Sequence, residues 1–311
     1  MSRLASRKVP TVMILLGMVA SLAVVPSVST ASYPLTRRVV RVVVPRDVSF
    51  QEDERGLVTS VWVNTAGPFV FAIDTGAGTT IVSQRVAAEA RLEVRRSVSI
   101  AGLSGRIAKA YESAPAELAA GSSTNRLPRA VPVTISDGLP AGVDGLLDPA
   151  QALWPLGFTM DFPRGSLSAF DPVASPIVKD DVPEGGAVTG WLMRADSRRP
   201  FVSLDGGRTA LIDTGSRFGL AVGRIEQQSF GILDGGPDSG ASVRDLGGGT
   251  VKGRRTIVAR VVLGGMVLEN VPTDVLSGVA PGTPILVGRD VLRPFVVSFD
   301  PRARLIRLAL R

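Results

Sequence analysis

Asp74 and Asp213 each open an Asp-Thr-Gly tripeptide set between two apolar runs, FAIDTGAGTTIVS over 71–83 and ALIDTGSRFGLAV over 210–222. A carboxylate ending an apolar strand is costly to bury alone, because a low-dielectric site penalises its charged form. Two such carboxyls brought together can share one proton, so that one serves as base while the other serves as acid. The reaction suited to that pair is attack of water on an amide. The composition narrows the choice further. The 311 residues include no histidine and no cysteine, which excludes Ser-His-Asp and Cys-His catalysis, disulfides, and metal sites built on those side chains. Carboxylates, Lys, Tyr and Ser are left as the acid–base candidates.

Elements that would position the two acids are legible around them. LVTSVWVN (57–64) and FVFAI (69–73) read as strands joined by a turn at Thr65-Ala66-Gly67-Pro68, and VVRVVVP (39–45) reads as a further strand. Gly76 and Gly78 permit a tight reversal after Asp74. Helical periodicity is scarce, while Val, Gly, Pro, Thr and Ser are abundant, which points to a β-rich chain with many turns.

The two halves then run in parallel. Each follows its Asp-Thr-Gly with a glycine-centred hairpin, SVSIAGLSGRIAKAY (97–111) and SVRDLGGGTVKGRRTIV (242–258). Each continues with further strands, AVPVTI (130–135) and VVLGGMVLENVPTDVL (261–276). Next comes an apolar segment beside glycine, GVDGLLDPA (142–150) against TPILVGRDVL (283–292). Last is a hairpin with an Asp-bearing Pro-Arg turn, TMDFPRGSLSAF (159–170) against VVSFDPRARLIRL (296–308). Leu146 lies 72 residues after Asp74, and Leu286 lies 73 after Asp213.

At this length two lobes are expected rather than one ordinary core. The divisions fall at a signal segment (1–31), an N-terminal strand or removable pro-segment (32–55), a first lobe (56–171), a Pro/Gly/Asp/Ser-rich connection (172–199) and a second lobe (200–311). Hydrophobic residues make up 45% and charged residues 20%, so a packed globular protein is expected.

Arg3, Arg7 and Lys8 precede an apolar run from about Val12 to Val25, and small residues follow around Ser29-Thr30-Ala31. This is the pattern of an export signal cleaved after Ala31, and it implies a periplasmic or secreted protein. The other reading is an uncleaved anchor through residues 9–30, which would hold the chain on a membrane. Removing residues 1–31 takes three positive charges and no acids, so the net charge falls from +7 to +4. The remaining arginines are dispersed, aromatic residues are only 5%, and no nucleic-acid motif is present. A solvated basic surface is the simpler reading, with no nucleic-acid partner.

With its paired motifs, glycine hairpins and apolar-apolar-glycine segments, the chain resembles the aspartic proteases of the pepsin and retropepsin clan. More narrowly it resembles bacterial exported retropepsin-like proteins that carry both lobes in one chain. The resemblance spans about residues 38–310. It implies an all-β, bilobal fold whose two lobes are related by a pseudo-twofold axis across a cleft. It also implies an aspartic endopeptidase acting on polypeptide as a monomer, with no metal or organic cofactor. Carried over residue by residue, the catalytic aspartates match Asp74 and Asp213. Thr75 and Thr214 would hold the two loops in register through their hydroxyls, and Gly76 and Gly215 would let backbone N–H groups approach the carboxylates. Gly102, Leu103, Ser104 and Gly105 would form the flap over the substrate.

Three departures stand out. No tyrosine sits at the hairpin tip, since Tyr111 lies beyond it. The first motif continues with Ala77 and the second with Ser216, which implies fewer side-chain hydrogen bonds to the first carboxylate and a less acidic optimum than pepsin-like enzymes. Asp148 stands where the second half has Gly288, and would crowd the threading beside the active loop unless Gly145 or a shifted turn serves instead.

Plainer readings compete with several of these signals. Asp74 and Asp213 could cap structural turns, and the hairpin at 102–105 could be a turn only. A catalytically silent peptide- or envelope-binding module would also keep the fold, and a membrane-anchored processing protease would keep the N-terminal segment. Asp161 and Asp300 read as structural turn residues, Asp137, Asp144 and Asp148 as solvated loop, and Trp62, Trp154 and Trp191 as core or pocket wall.

Overall fold

The computed structural model describes residues 42–193, 197–233 and 242–311. Every sheet in it grows from short strands rich in β-branched and apolar residues. Helix is confined to pieces such as Gln84–Glu89, Pro149–Ala152 and Arg289–Leu292, so the fold is all-β. The signal segment 1–31 and residues 32–41 lie outside the described residues. Among the described residues no helix is long and apolar enough to cross a membrane.

Each half builds one sheet with the same central arrangement. In the first, Gly145–Leu147 runs parallel to Ala66–Ile73, in register Leu146↔Ala72 and Leu147↔Ile73, and antiparallel to Ile81–Val82. In the second, Ile285–Val287 runs parallel to Thr209–Ile212, in register Leu286↔Leu211 and Val287↔Ile212, and antiparallel to Leu220–Gly223. The strand delivering each aspartate is thus clamped by a late strand of its own half.

The register also accounts for the one-residue difference in spacing. Leu146 faces Ile81, seven residues after Asp74, whereas Leu286 faces Ala221, eight after Asp213. The extra residue sits in the second loop, and the remaining span is equal in the two halves. Volume is exchanged at the same level. Gly145 faces Phe71, where an added methyl would stand 2.4 Å from the ring, while Ile285 faces the small Ala210. Gly145 is therefore the close-approach residue of the first threading, which leaves position 148 free to carry a side chain.

A third sheet, of six strands, draws on both ends of the repeat. Its centre pairs Gly157–Asp161 with Phe295–Asp300, in register Phe158↔Phe299 and Met160↔Val297. Phe158 stacks on Phe299 at 4.4 Å, and Trp191 meets both rings edge-on. Asp161 and Asp300 cap the turns that follow: Asp161 accepts the Arg164 N–H, and Asp300 accepts those of Arg302, Ala303 and Ile177.

Several details differ from the sequence reading. Residues 42–45 of the strand expected at 39–45 form no strand, and Val43 and Val44 are exposed. Among the described residues pairing begins at Val48, against Leu167. Ala66, Gly67 and Pro68 belong to a strand rather than to a turn, and Asn64, with φ 54, makes the reversal. The strand at 130–135 shrinks to Thr134–Ile135, since Pro132 offers no N–H to a ladder. The connection 172–199 contains an edge strand, Ala187–Gly190, paired with Leu305–Leu310.

Candidate active site

Ile73 and Ile212 are fully buried strand ends, and the backbone of each following aspartate is tied to the late strand. Asp74 N donates to Leu147 O at 2.9 Å and Asp213 N to Val287 O at 3.0 Å. The loops beyond them interlock. Thr75 Oγ1 donates to Ile212 O (2.7 Å) and accepts from Thr214 N (3.1 Å); Thr214 Oγ1 donates to Ile73 O (2.9 Å) and accepts from Thr75 N (3.1 Å). Both threonines are wholly buried, so four otherwise orphaned backbone groups are satisfied by two hydroxyls.

This reciprocal lock brings the carboxyls together. A methyl placed on Gly76 would stand 2.6 Å from the Asp213 carboxyl, and one on Gly215 would stand 2.5 Å from that of Asp74. Only glycine fits at either position. Asp74 Oδ1 accepts the Gly76 N–H at 2.8 Å; Asp213 Oδ1 accepts those of Gly215 and Ser216 at 3.0 and 3.2 Å. The Ser216 hydroxyl accepts from Phe218 N instead of reaching the carboxylate, so the expected side-chain difference between the two motifs comes down to backbone donors.

Both aspartates are half-buried: densely surrounded, yet still touched by solvent. Burial pushes both carboxyls upward, Asp213 to about 8, and in Asp213 the neighbouring Asp74 charge adds to the rise. The Gly76 N–H, the Asp213 hydrogen bond and the Arg199 charge pull Asp74 back down. The proton retained at neutral pH belongs to the pair, because two like charges in contact cannot both ionise freely.

Two arginines brace the loops, and the motif reading passed over both. Arg289, 1% exposed, donates to the carbonyls of Thr214 (3.1 Å) and Gly215 (3.3 Å) and pairs with Glu52 of the first half. Arg199 donates to Ala77 O at 3.0 Å and lies against Gly78, where a methyl would meet its Nε at 2.6 Å. The Arg199 carbonyl is in turn held by the Trp191 indole N–H at 3.1 Å. An arginine directly after an apolar-apolar-glycine run was the available signal for Arg289. Arg199 carried none, because its role depends on a contact made 122 residues away.

The hairpin Val94–Ala101/Ile107–Ser113 places Gly102, Leu103, Ser104 and Gly105 at its tip, with Gly105 at φ 78. This tip meets the second hairpin, whose turn is Asp245–Gly249. Asp245 accepts the N–H of Ser104 (2.6 Å) and of Gly249 (2.8 Å), and Leu103 O accepts from Ala280 N (2.8 Å). Each tip leucine packs into the opposite half. Leu103 packs on the buried cluster of Phe201, Leu211, Phe218, Ala221, Val251, Leu276 and Leu286, and Leu246 on that of Ala72, Ile81, Val143 and Leu146. Within these clusters Ala72, Leu146 and Ile81 of the first half match Leu211, Leu286 and Ala221 of the second in register, and Ala72 and Leu211 each stand two residues before an aspartate. Two surface cavities, about 300 Å³ beside Met266 and Phe295 and about 360 Å³ beside Arg224 and Thr283, are lined by neither aspartate.

The loose acidic group of the sequence reading separates. Asp144 pairs with Arg85, and Asp137 is exposed and accepts from the Gln84 amide. Asp148 is not solvated loop but wholly buried, and it caps the helix Pro149–Ala152 through the Ala150 N–H at 2.9 Å. Trp191 is core, while Trp62 and Trp154 are half-buried.

A family model described as aspartyl protease matches residues 59–147, the stretch containing the Asp74 loop and the strand threaded beside it. That match supports an aspartic protease relationship for the first half of the chain. Among curated proteins none matches this chain.

Proposed function

We propose that this chain is an aspartic endopeptidase working through Asp74 and Asp213, with one lobe contributing each acid. The observation that carries the reading is the close approach of Gly76 to the Asp213 carboxyl and of Gly215 to that of Asp74, which leaves the two acids facing one another. A water held between them loses a proton to the ionised carboxylate and attacks the scissile carbonyl, while the protonated partner donates to the carbonyl oxygen. The proton then passes to the leaving amine, and no covalent intermediate forms. The half-exposed setting suits this, since water must reach the pair and its upward-shifted carboxyls keep one proton at neutral pH. Thr75, Thr214, Gly76 and Gly215 position the acids; Gly102 to Gly105 cover the substrate, so that peptide enters only when the two tips part.

Both loops come from one chain, and the reading is therefore a monomer acting on polypeptide. It is an exported protein if residues 1–31 act as a cleaved signal; fractionation with N-terminal sequencing of the mature protein decides that against a retained anchor. The enzymatic reading is tested with a broad peptide library over pH 3–8. Wild type should cut, and Asp74→Asn and Asp213→Asn should each lose about 10²- to 10⁴-fold or more, the usual contribution of a positioned acid or base. No cutting by wild type, or equal cutting by the variants, removes the proposal.

A further inference from the structure

A third carboxyl stands beside the pair. Leu147 faces Ile73 as the last pair of two parallel strands, with the Asp74 N–H donating to Leu147 O, so Asp148 and Asp74 are the residues that follow this pair on adjacent strands. The two carboxyls are near enough for the Asp74 charge to act on Asp148. Asp148 is extended there (φ −87, ψ 105), and its N–H donates to Thr80 Oγ1. Oδ1 accepts the Ala150 N–H, but among the described residues Oδ2 is buried with no partner. In the second half the same register position is Gly288, where a methyl would stand 2.2 Å from Phe218 O. The second half has no room for a side chain at this place, and the first half fills it with an acid.

An N-cap needs only Oδ1, and Asn or Ser caps as well as Asp. The second oxygen, sealed from water beside Asp74, is left over by the structural role and costs free energy when charged. The charged groups acting on Asp148 are Asp74, which opposes its ionisation, and Arg199, which favours it. Burial first, and then Asp74, raise its carboxyl to about 7.

We propose that Asp148 is a positioning residue for the hydrolysis, its buried carboxyl acting through Asp74 to keep the shared proton on the Asp74–Asp213 pair as the pH rises. Below neutrality Asp148 holds its own proton and leaves the pair unaffected. Above it, the Asp148 charge opposes the second ionisation of the pair, which would otherwise leave no acid to protonate the carbonyl oxygen. Cleavage is thereby extended toward alkaline pH. The inference rests on the endopeptidase reading, and its test separates the two.

The experiment compares kcat/KM from pH 4 to 9 for wild type and Asp148→Asn on one peptide that wild type cleaves. Asparagine keeps the cap and resembles the protonated acid. The acid limb should stay in place, while the alkaline limb moves about one pH unit lower, so that activity on that limb drops about tenfold relative to wild type. Superimposable profiles, or an equal loss at every pH, overturn the proposal, since a purely structural residue would give one of these. ¹³C carboxyl NMR titration of the aspartates supplies a readout independent of cleavage. The upper titration of the pair should move down in Asp148→Asn, and an unmoved titration overturns the inference even if wild type proves inactive. Should Asp148→Asn fail to fold, Asp148→Ser repeats both measurements.

Discussion

At the scale of single residues, the hydroxyl of Thr75 serves Ile212 O and Thr214 N together, both in the buried seam beneath the acids. Thr75→Val keeps the branched shape but strands both groups. At roughly 1–3 kcal/mol for each unsatisfied buried group, it should lower stability by about 2–4 kcal/mol, and Thr75→Ser should restore most of it. Urea denaturation checks this, and a loss below about 0.5 kcal/mol would contradict the geometry. Asp148 gives a second expectation. Its folded-state carboxyl lies above the ordinary 3.8, at about 7, so its cost is absent below the lower value and grows as pH rises through the upper one. Asp148→Asn should therefore stabilise the protein at pH 8, by on the order of 2–4 kcal/mol, and change little at pH 4. Thermal unfolding at the two pH values decides it; a gain equal at both would mean the charge is not the cause.

Among the elements, the two glycine hairpins are tied to one another as well as to their own sheets. Asp245 is the carboxylate at that junction. Burial pulls its pKa up, but hydrogen bonds from Ser104 and from the Gly249 and Gly247 N–H groups more than offset this and hold it below 3.8. The sign is opposite to that of Asp148: the stabilisation is fully present above 3.8 and fades as pH falls through the lower folded value. The protection factors of the Ser104 and Gly105 amides should fall about tenfold in Asp245→Ala, equivalent to about 1.4 kcal/mol of lost closure, and should also fall in wild type as the solution is acidified. Exchange unchanged in the variant would place the closure in Leu103 and Leu246 instead. Those leucines each pack into the apolar cluster of the opposite half.

For the whole molecule, the six-stranded sheet is the feature that makes the halves interdependent. Phe158 and Phe299, one from each half, are almost fully buried and stack at 4.4 Å, with Thr159 and Ser298 hydroxyls bonded beside them at 2.8 Å. The Arg289–Glu52 pair spans the halves again. Phe299→Ala should cost about 3–5 kcal/mol, and both halves should still unfold in one transition, because each half's terminal hairpin is the other's neighbour. Circular dichroism and tryptophan fluorescence followed together would reveal two separate transitions if the halves were independent.

How much of this was legible in the chain depends on the range of the contact involved. Apolar runs ending in Asp-Thr-Gly, glycines at the reversals and the matched order of landmarks are local patterns. They determined the β character, the duplicated design and the pair of candidate acids. Even the one-residue difference between the spacings of 72 and 73 was visible, although only the register located it in the second loop. What the tertiary structure alone decided were meetings between distant segments: Arg199 on Ala77, Arg289 on Glu52, Asp245 on Ser104, and the Asp74 charge acting on buried Asp148. Asp148 shows why. As a string, Leu-Leu-Asp-Pro reads as a strand ending in a solvated turn. Its environment comes from complete burial, which excludes water from one of its oxygens, and that exclusion is a property of the packed fold.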